Sequence, residues 1–126
     1  MRFFFDNNLP IRLARALRVL APEHEIIHLT DKFAANTPDT EWMRGLADAL
    51  DWVIISGDIR IGKNVHEVQA WRAAGHTIFF LKAGWITQPF WTQAWKFVKC
   101  FPGIVTVAEE ASSGDSFFVS VNGKIS

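Results

Sequence analysis

The sequence predicts a three-layer α/β domain with a mostly parallel central sheet of about four or five strands. Short continuous apolar runs suit strands that are buried on both faces. Stretches with helical apolar spacing separate these runs, and such alternation is typical of right-handed βαβ units. A chain of 126 residues with 49% apolar content can fill one core. We therefore expect a single domain over residues 1–126.

The first strand and the first helix follow directly from the N-terminal pattern. The apolar run 3–5 predicts a buried strand that stops at Asp6. From Pro10 onward the apolar residues recur at helical spacing, and Asn8 is available as an N-terminal cap. The apolar stripe of this helix is expected to contain Leu13, Ala16, Leu17 and Leu20.

The next elements repeat the alternation. Residues 25–29 predict a second short strand. Thr37 and Pro38 provide a cap and a first-turn proline for a second helix that runs to about Leu50. The run 52–56 then predicts a third strand, which ends just before Asp58.

The second half of the chain keeps the same order of elements. A third helix is expected over residues 64–74, with Gly75 as its C-terminal stop, and it precedes a fourth buried strand. The fourth strand is predicted at 77–81. Two helices are predicted at 89–99 and 103–111, and a last strand is predicted at 117–121.

Composition excludes several classes of protein. The single cysteine cannot form an intramolecular disulfide, and no signal peptide opens the chain, so a cytoplasmic setting is expected. No apolar stretch reaches the roughly 18 residues of a membrane span. Thirteen basic residues balance thirteen acidic ones, which gives no support to a strongly basic polyanion binder. The six Trp and eleven Phe residues are expected mostly in the core or at a subunit interface.

Two common kinds of site are also missing from the sequence. The four histidines, at positions 24, 28, 66 and 76, show no metal-ligand spacing, and we interpret them as structural. The chain has no glycine-rich phosphate loop, so no nucleotide cofactor is implied.

Acidic residues are placed where a parallel sheet binds its ligands. Asp6 and Asp58 directly follow two predicted strands, so both are expected at the carboxyl edge of the sheet. Asp39 and Glu41 lie in the first turns of the second helix, whose start opens near the same edge. Clustered carboxylates repel one another unless a cation neutralises them, and Mg²⁺ or Mn²⁺ prefers such oxygen ligands.

Each acid also has a structural interpretation. Asp39 and Glu41 can simply complement the dipole of their helix, Asp6 can cap the first helix, and Asp58 can be a turn residue. Polar and basic residues beside the acids are candidates for binding a phosphate or a water, although solvated surface charges explain the basic ones equally well. These candidates are Asn7, Asn8, Arg12, Ser56, Arg60 and Lys63.

Three stretches, 2–10, 37–42 and 52–58, resemble the PIN-like proteins related to VapC toxins. The resemblance continues through Phe79-Phe80-Leu81 and Gly84-Trp85 into the C-terminal helices. It implies a PIN-like fold and a carboxylate-bound Mg²⁺ or Mn²⁺. It also implies an endoribonuclease that cleaves RNA with a metal-activated water and acts as the toxin of a type II toxin-antitoxin system. A small antitoxin and a homodimer are the partners that it suggests.

Carried over position by position, the resemblance matches Asp6, then Glu41 or Asp39, then Asp58 to the acids of PIN nucleases. A fourth acid is usual near the last of these, but Ile59, Arg60 and Ile61 follow Asp58 here. The working hypothesis is a metal held by Asp6, Glu41 and Asp58, with Asp39 as an assisting base or second-metal ligand.

Two alternatives remain open. A signalling receiver domain also places acids after its first and third strands and a lysine after a late one, and Asp6, Asp58 and Lys82 roughly satisfy that pattern. A PIN-like domain that has lost activity and serves as a binding module is the second alternative, because the fourth acid is missing. The RNA target is not readable from loops such as 32–36.

Overall fold

In the computed structural model, which describes residues 1–48 and 52–126, five parallel strands form one sheet in the order β2-β1-β3-β4-β5. The strands are β1 (Arg2–Phe5), β2 (Glu25–His28), β3 (Trp52–Ser56), β4 (Thr77–Leu81) and β5 (Ser116–Val119). The helices are α1 (Ile11–Leu20), α2 (Leu29–Lys32), α3 (Asp39–Gly45), α4 (Val65–Ala73) and α5 (Phe90–Glu110), with 3-10 turns at Leu46–Asp48 and Ile59–Lys63. The predicted α/β fold is confirmed.

The sheet is covered on both faces, as its continuous apolar strands predicted. Every residue of β3 and β4 is buried. Because successive side chains of a strand point to opposite faces, Phe3 and Phe5 pack into one core with α1 and α5, whereas Phe4 packs into the other with α3 and α4. Trp42 and Trp71 anchor the second core.

The predicted break between two C-terminal helices is wrong, because α5 runs unbroken through Pro102. Proline removes one backbone hydrogen bond and normally kinks or ends a helix. Here Phe97, Phe101 and Ile104 stay buried in the same core on both sides of the proline. Their burial holds the helix together, which is a tertiary effect that overrides local propensity.

Several element ends also differ from the predictions. Leu20 is 61% exposed, and α1 buries Leu13, Ala14 and Leu17 instead of the wider stripe that included Ala16. Asn8 does not cap α1, which begins after Pro10 without a side-chain cap. The predicted second helix ends earlier as an α-helix, because α3 stops at Gly45 and a 3-10 turn follows at Leu46–Asp48, and the rest of the predicted extension to about Leu50 lies outside the described residues. The last strand ends at Val119 rather than at residue 121.

Other details agree with the sequence. Gly75 stops α4 with a φ of 79°, a conformation that favours glycine. His28 is buried and its Nε2 lies 2.7 Å from the carbonyl oxygen of Leu9, which is a structural role. In the described part of the chain, no helix is both long enough and apolar enough to cross a membrane.

Candidate functional site

The carboxyl ends of β1 and β3 bring the first two predicted acids together. The two strands are paired in register, with Phe5 opposite Ile55. The pairing extends one residue further, since the Asp6 amide donates to the Ile55 carbonyl at 2.9 Å. Asp6 and Ser56 therefore leave the sheet side by side, and Asp58 follows two residues later.

Asp6 is held tightly at this edge and is only 5% exposed. Its Oδ2 accepts a hydrogen bond from Ser56 Oγ at 2.7 Å, and its Oδ1 accepts one from the Asn7 amide at 2.7 Å. Burial raises the pKa of the Asp6 carboxyl, and these two hydrogen bonds oppose that rise. The negative charges of Asp39 and Asp58 raise the pKa further.

Ser56 connects the two acids. Its hydroxyl donates to Asp6 and accepts from the Asp58 amide at 3.1 Å. The residue is fully buried. In the structure it orients the two carboxylate-bearing residues relative to one another.

Asp58 is paired with Arg60. The guanidinium donates from Nε to Oδ1 at 2.8 Å and from Nη2 to Oδ2 at 2.9 Å. The Asp58 carboxylate also caps the following 3-10 turn by accepting from the Arg60 amide at 3.1 Å. The bonds from the Arg60 side chain hold the pKa of Asp58 below its usual value. The turn-residue interpretation of Asp58 is therefore correct as local structure, and it is compatible with a place in the site.

Asp39 is the acid of α3 that interacts with this edge. Its Oδ1 accepts a hydrogen bond from the Trp42 indole nitrogen at 2.9 Å. Partial burial raises its pKa, and the charge of Asp58 adds to that rise. Glu41 lies exposed in the same first turn. Within the described residues, Glu41 is not one of the charges that act on Asp6, Asp39 or Asp58.

Glu67 in the first turn of α4 is an acid that the sequence analysis missed. Partial burial raises its pKa, and the charges of Asp39, Asp58 and Asp6 raise it further. Its Oε2 is buried and has no hydrogen-bond partner among the described atoms. A usable signal was present, because a helix that follows β3 must also begin at the carboxyl edge. Asn64 caps this helix by accepting from the Glu67 amide at 3.2 Å.

The predicted phosphate-binding residues are distributed unequally around the acids. Asn8 is closest, with its Oδ1 accepting from the Gly57 amide at 2.9 Å and its Nδ2 lying 3.5 Å from Asp6 Oδ2. Asn7 is exposed and donates to the Ala35 carbonyl at 3.3 Å. Lys63 is exposed at the end of the turn that carries Arg60.

Gly57 allows the chain to pass closely beside the site. A Cβ at this position would lie 2.6 Å from Cγ2 of Ile86. Ile86 belongs to the segment between β4 and α5, so this segment closes over the end of β3. Arg12 lies on α1 with its guanidinium 3.8 Å from the ring centroid of Phe90, the first residue of α5.

The carboxylates match the oxygen ligands that Mg²⁺ or Mn²⁺ prefers, and they repel one another. Arg60 is the cation whose charge lowers the pKa of Asp39, Asp58 and Glu67. In the conformation described for residues 1–48 and 52–126, no three His, Cys, Asp or Glu side chains are grouped as a ready-made metal site. The donor chemistry of these carboxylates suits a divalent cation, although the described conformation does not gather three of them around one point.

The comparison with family models agrees with this geometry. A model described as "PIN like domain" matches residues 1–83, which is about two thirds of the chain and contains β1 to β4 and all the acids of the site. No curated protein and no solved structure was found to match the chain. PIN-like domains are often nucleases, so the fold is of a nuclease type. With its parallel sheet and its acids gathered at the carboxyl edge, the chain belongs to the PIN-like domain family.

Proposed function

We propose that the protein is a Mg²⁺- or Mn²⁺-dependent endoribonuclease whose site is formed by Asp6, Asp39, Asp58 and Glu67. The observation that carries this proposal is the link through Ser56, whose hydroxyl donates to Asp6 and accepts from the Asp58 amide, so that two acids stand together at the carboxyl edge of a PIN-like sheet. Each of the raised pKa values, those of Asp6, Asp39 and Glu67, includes repulsion from at least one other member of the group. Such repulsion is unfavourable for folding, and it is typical of sites built to bind a cation.

The membership of this group differs in two respects from the set of metal ligands predicted from the sequence. Glu41 remains a predicted ligand, but Asp39 is the acid of α3 that interacts with Asp6 and Asp58. Glu67 supplies a fourth acid, which the residues directly after Asp58 do not provide. Its buried and unpartnered Oε2 is an oxygen that a cation would satisfy.

A bound divalent cation would supply charge neutralisation and would make a water more acidic. Asp6 and Asp58 would hold it, with Ser56 fixing the position of Asp6 through the bond at 2.7 Å. Asp39 and Glu67, whose pKa values are raised, are suited to accept a proton from the attacking water. Asn8 and Arg60 would orient the phosphate.

Arg60 also affects how this site would bind a cation. Its guanidinium occupies both oxygens of Asp58, which is one of the proposed ligands. The Arg60 side chain is 87% exposed, so it can leave Asp58 without disrupting the core. We therefore expect the cation and Arg60 to compete for Asp58, and Arg60 is then free to contact phosphate.

The experiment that tests the proposal is cleavage of a pool of single-stranded and structured RNAs by purified protein with Mn²⁺ or Mg²⁺. Asp6→Asn keeps the shape of the side chain and removes its charge, so we expect cleavage to fall by about 100-fold or more. Glu110→Gln, an exposed change at the end of α5, is the matched control and should cleave normally. EDTA should stop the reaction.

Retention of cleavage by a folded Asp6→Asn protein would refute the proposed site. Circular dichroism of each variant separates a loss of chemistry from a loss of folding. Tight metal binding without cleavage of any RNA would favour the inactive binding module instead.

A receiver-like phosphoacceptor domain is less well supported. The Lys82 ammonium lies 5.7 Å from the ring centroid of Phe118 on β5. It is not one of the charges that act on Asp6 or Asp58 in the described structure. Failure of acetyl phosphate to label Asp58 would exclude this alternative.

The biological role that we propose rests on the resemblance to VapC-type proteins. On that basis the protein is the toxin of a type II toxin-antitoxin pair, and its partners are RNA, a small antitoxin and a second copy of the chain. Growth arrest on expression of the wild type, but not of Asp6→Asn, would support this role.

A further inference from the structure

Two tryptophans of α5 are exposed where a buried ring would be expected. Trp91 is 78% exposed and Trp95 is 55% exposed, whereas Trp42, Trp71 and Trp85 are fully buried. Residues four apart lie on the same face of a helix. We name the group of Trp91, Trp95, Lys96 and Lys99 the α5 platform.

The α5 platform is continuous with the edge of the sheet that carries the acids. Phe90 begins α5 under the guanidinium of Arg12, at 3.8 Å, and its ring is 5.4 Å from that of Trp91. Ile86, five residues before Trp91, lies against Gly57, and the Gly57 amide donates to Asn8, which is next to Asp6. A strand of nucleic acid that leaves the acids would therefore meet this end of α5.

The charge of the platform matches a polyanion. Lys96 Nζ and Lys99 Nζ lie 5.9 and 6.0 Å from the Trp95 ring. No Asp or Glu occurs between residues 83 and 108 of the sequence, so no acid of α5 neutralises these lysines before Glu109. Trp95 and the two lysines also line an open cleft of about 350 Å³ that extends to residues 121–123.

We propose that the α5 platform binds single-stranded RNA on its way into the acidic site. Bases would stack on Trp91 and Trp95, and phosphates would lie against Lys96, Lys99 and Arg12. Aromatic rings interleaved with cations favour this occupant over a protein, because the centre of a protein interface is depleted of charge. A duplex keeps its bases stacked inside, so it offers nothing to the tryptophans. This inference rests on the proposed ribonuclease function.

The test is the affinity for a fluorescently labelled single-stranded RNA of mixed sequence, measured by anisotropy in EDTA so that no cleavage occurs. We expect Trp91→Ala and Trp95→Ala each to weaken binding by about tenfold, with Trp91→Phe largely restoring it. Leu20→Ala is the matched control, since this exposed apolar residue lies at the far end of α1. A duplex of the same sequence should bind weakly, and its affinity should be the same for all variants.

The lysines are tested in the same assay. For single strands the logarithm of the affinity falls with the logarithm of salt concentration by about 0.7 per phosphate contact. The double variant Lys96→Gln/Lys99→Gln should therefore lower the slope by about 1.4. An unchanged slope would show that Lys96 and Lys99 do not contact the RNA phosphates.

The outcomes separate this inference from the proposed function. If cleavage depends on Asp6 but the tryptophan variants bind RNA like the wild type, the platform is refuted and the nuclease stands. If RNA binding depends on the tryptophans but no RNA is cleaved, the platform stands and the nuclease is refuted. If the tryptophan variants bind RNA normally but convert a dimer into a monomer in light scattering, the face is a protein interface and the inference is wrong.

Discussion

The acidic edge, which consists of Asp6, Asp39, Asp58 and Glu67, differs from the α5 platform in how the fold holds the side chains. Asp6 is 5% exposed and is fixed by Ser56 and by the Asn7 amide, whereas Trp91 is 78% exposed. The acidic edge lies within residues 1–83, which match the PIN-like family model, and the platform lies beyond them. Under the two proposals, the chemistry belongs to the sheet that the family shares, and substrate contacts are added on an exposed helix face.

The largest expected difference between the two regions is in stability. Trp42 is fully buried, stacks on Phe4 with ring centroids 4.8 Å apart and donates to Asp39. Trp42→Ala should lower the free energy of unfolding by about 3 to 5 kcal/mol, because it leaves a large cavity. Trp91→Ala should change it by no more than about 0.5 kcal/mol. Urea unfolding measures both, and equal losses would show that Trp91 is part of the core.

A smaller effect is expected on metal affinity. Arg60→Gln frees Asp58 from its bidentate partner, so the apparent affinity for Mn²⁺ should rise about 2- to 5-fold, the range expected for an exposed ion pair. Lys63→Gln removes the same charge from the same turn without touching that pair. Titration calorimetry on both variants would distinguish direct competition from a general change of charge. Equal effects would contradict the competition of Arg60 with the cation.

The smallest expected effect is a difference in the pH dependence of stability without metal. The pKa values of Asp6 and Asp39 are raised, so the folded state binds their protons more tightly than the unfolded chain does. Their contribution to stability is complete below the unfolded value of 3.8 and is lost as the pH rises through the folded values. The pKa of Asp58 is lowered, so Asp58 stabilises the folded state above pH 3.8, and this stabilisation is lost as the pH falls through 3.8 and below.

Between pH 7 and a pH just above the unfolded value of 3.8, lowering the pH should therefore strengthen the contribution of the acidic edge to folding in EDTA. Asp6→Asn should show less of this gain than the wild type, and Trp91→Ala should follow the wild type. Urea unfolding at the two pH values measures the difference. Parallel curves for Asp6→Asn and the wild type would show that Asp6 carries no unfavourable charge.

Most of the candidate site could be predicted because it depends on where strands end. Asp6 and Asp58 follow two apolar runs, and parallel strands bring their carboxyl ends to the same edge. Asn8 was among the residues predicted beside the acids, but its predicted role as a helix cap was wrong. Its side-chain Oδ1 accepts a hydrogen bond from the Gly57 amide, and its Nδ2 lies 3.5 Å from Asp6 Oδ2. Glu67 was missed because its distance from the other acids depends on how α4 packs, and no local pattern encodes that packing.

The sequence by itself determined the five strands and the helices α1, α3 and α4 between them, because apolar periodicity is a local property of the chain. It also determined which acids follow strands. The tertiary structure decided that α5 continues through Pro102, since the burial of Phe97, Phe101 and Ile104 outweighs the hydrogen bond that a proline removes. It also decided that the charge of Asp58 acts on Asp39 and Glu67, and that Trp91 and Trp95 are exposed to solvent. These outcomes depend on contacts between residues far apart in the chain, and such contacts form only when the elements pack together.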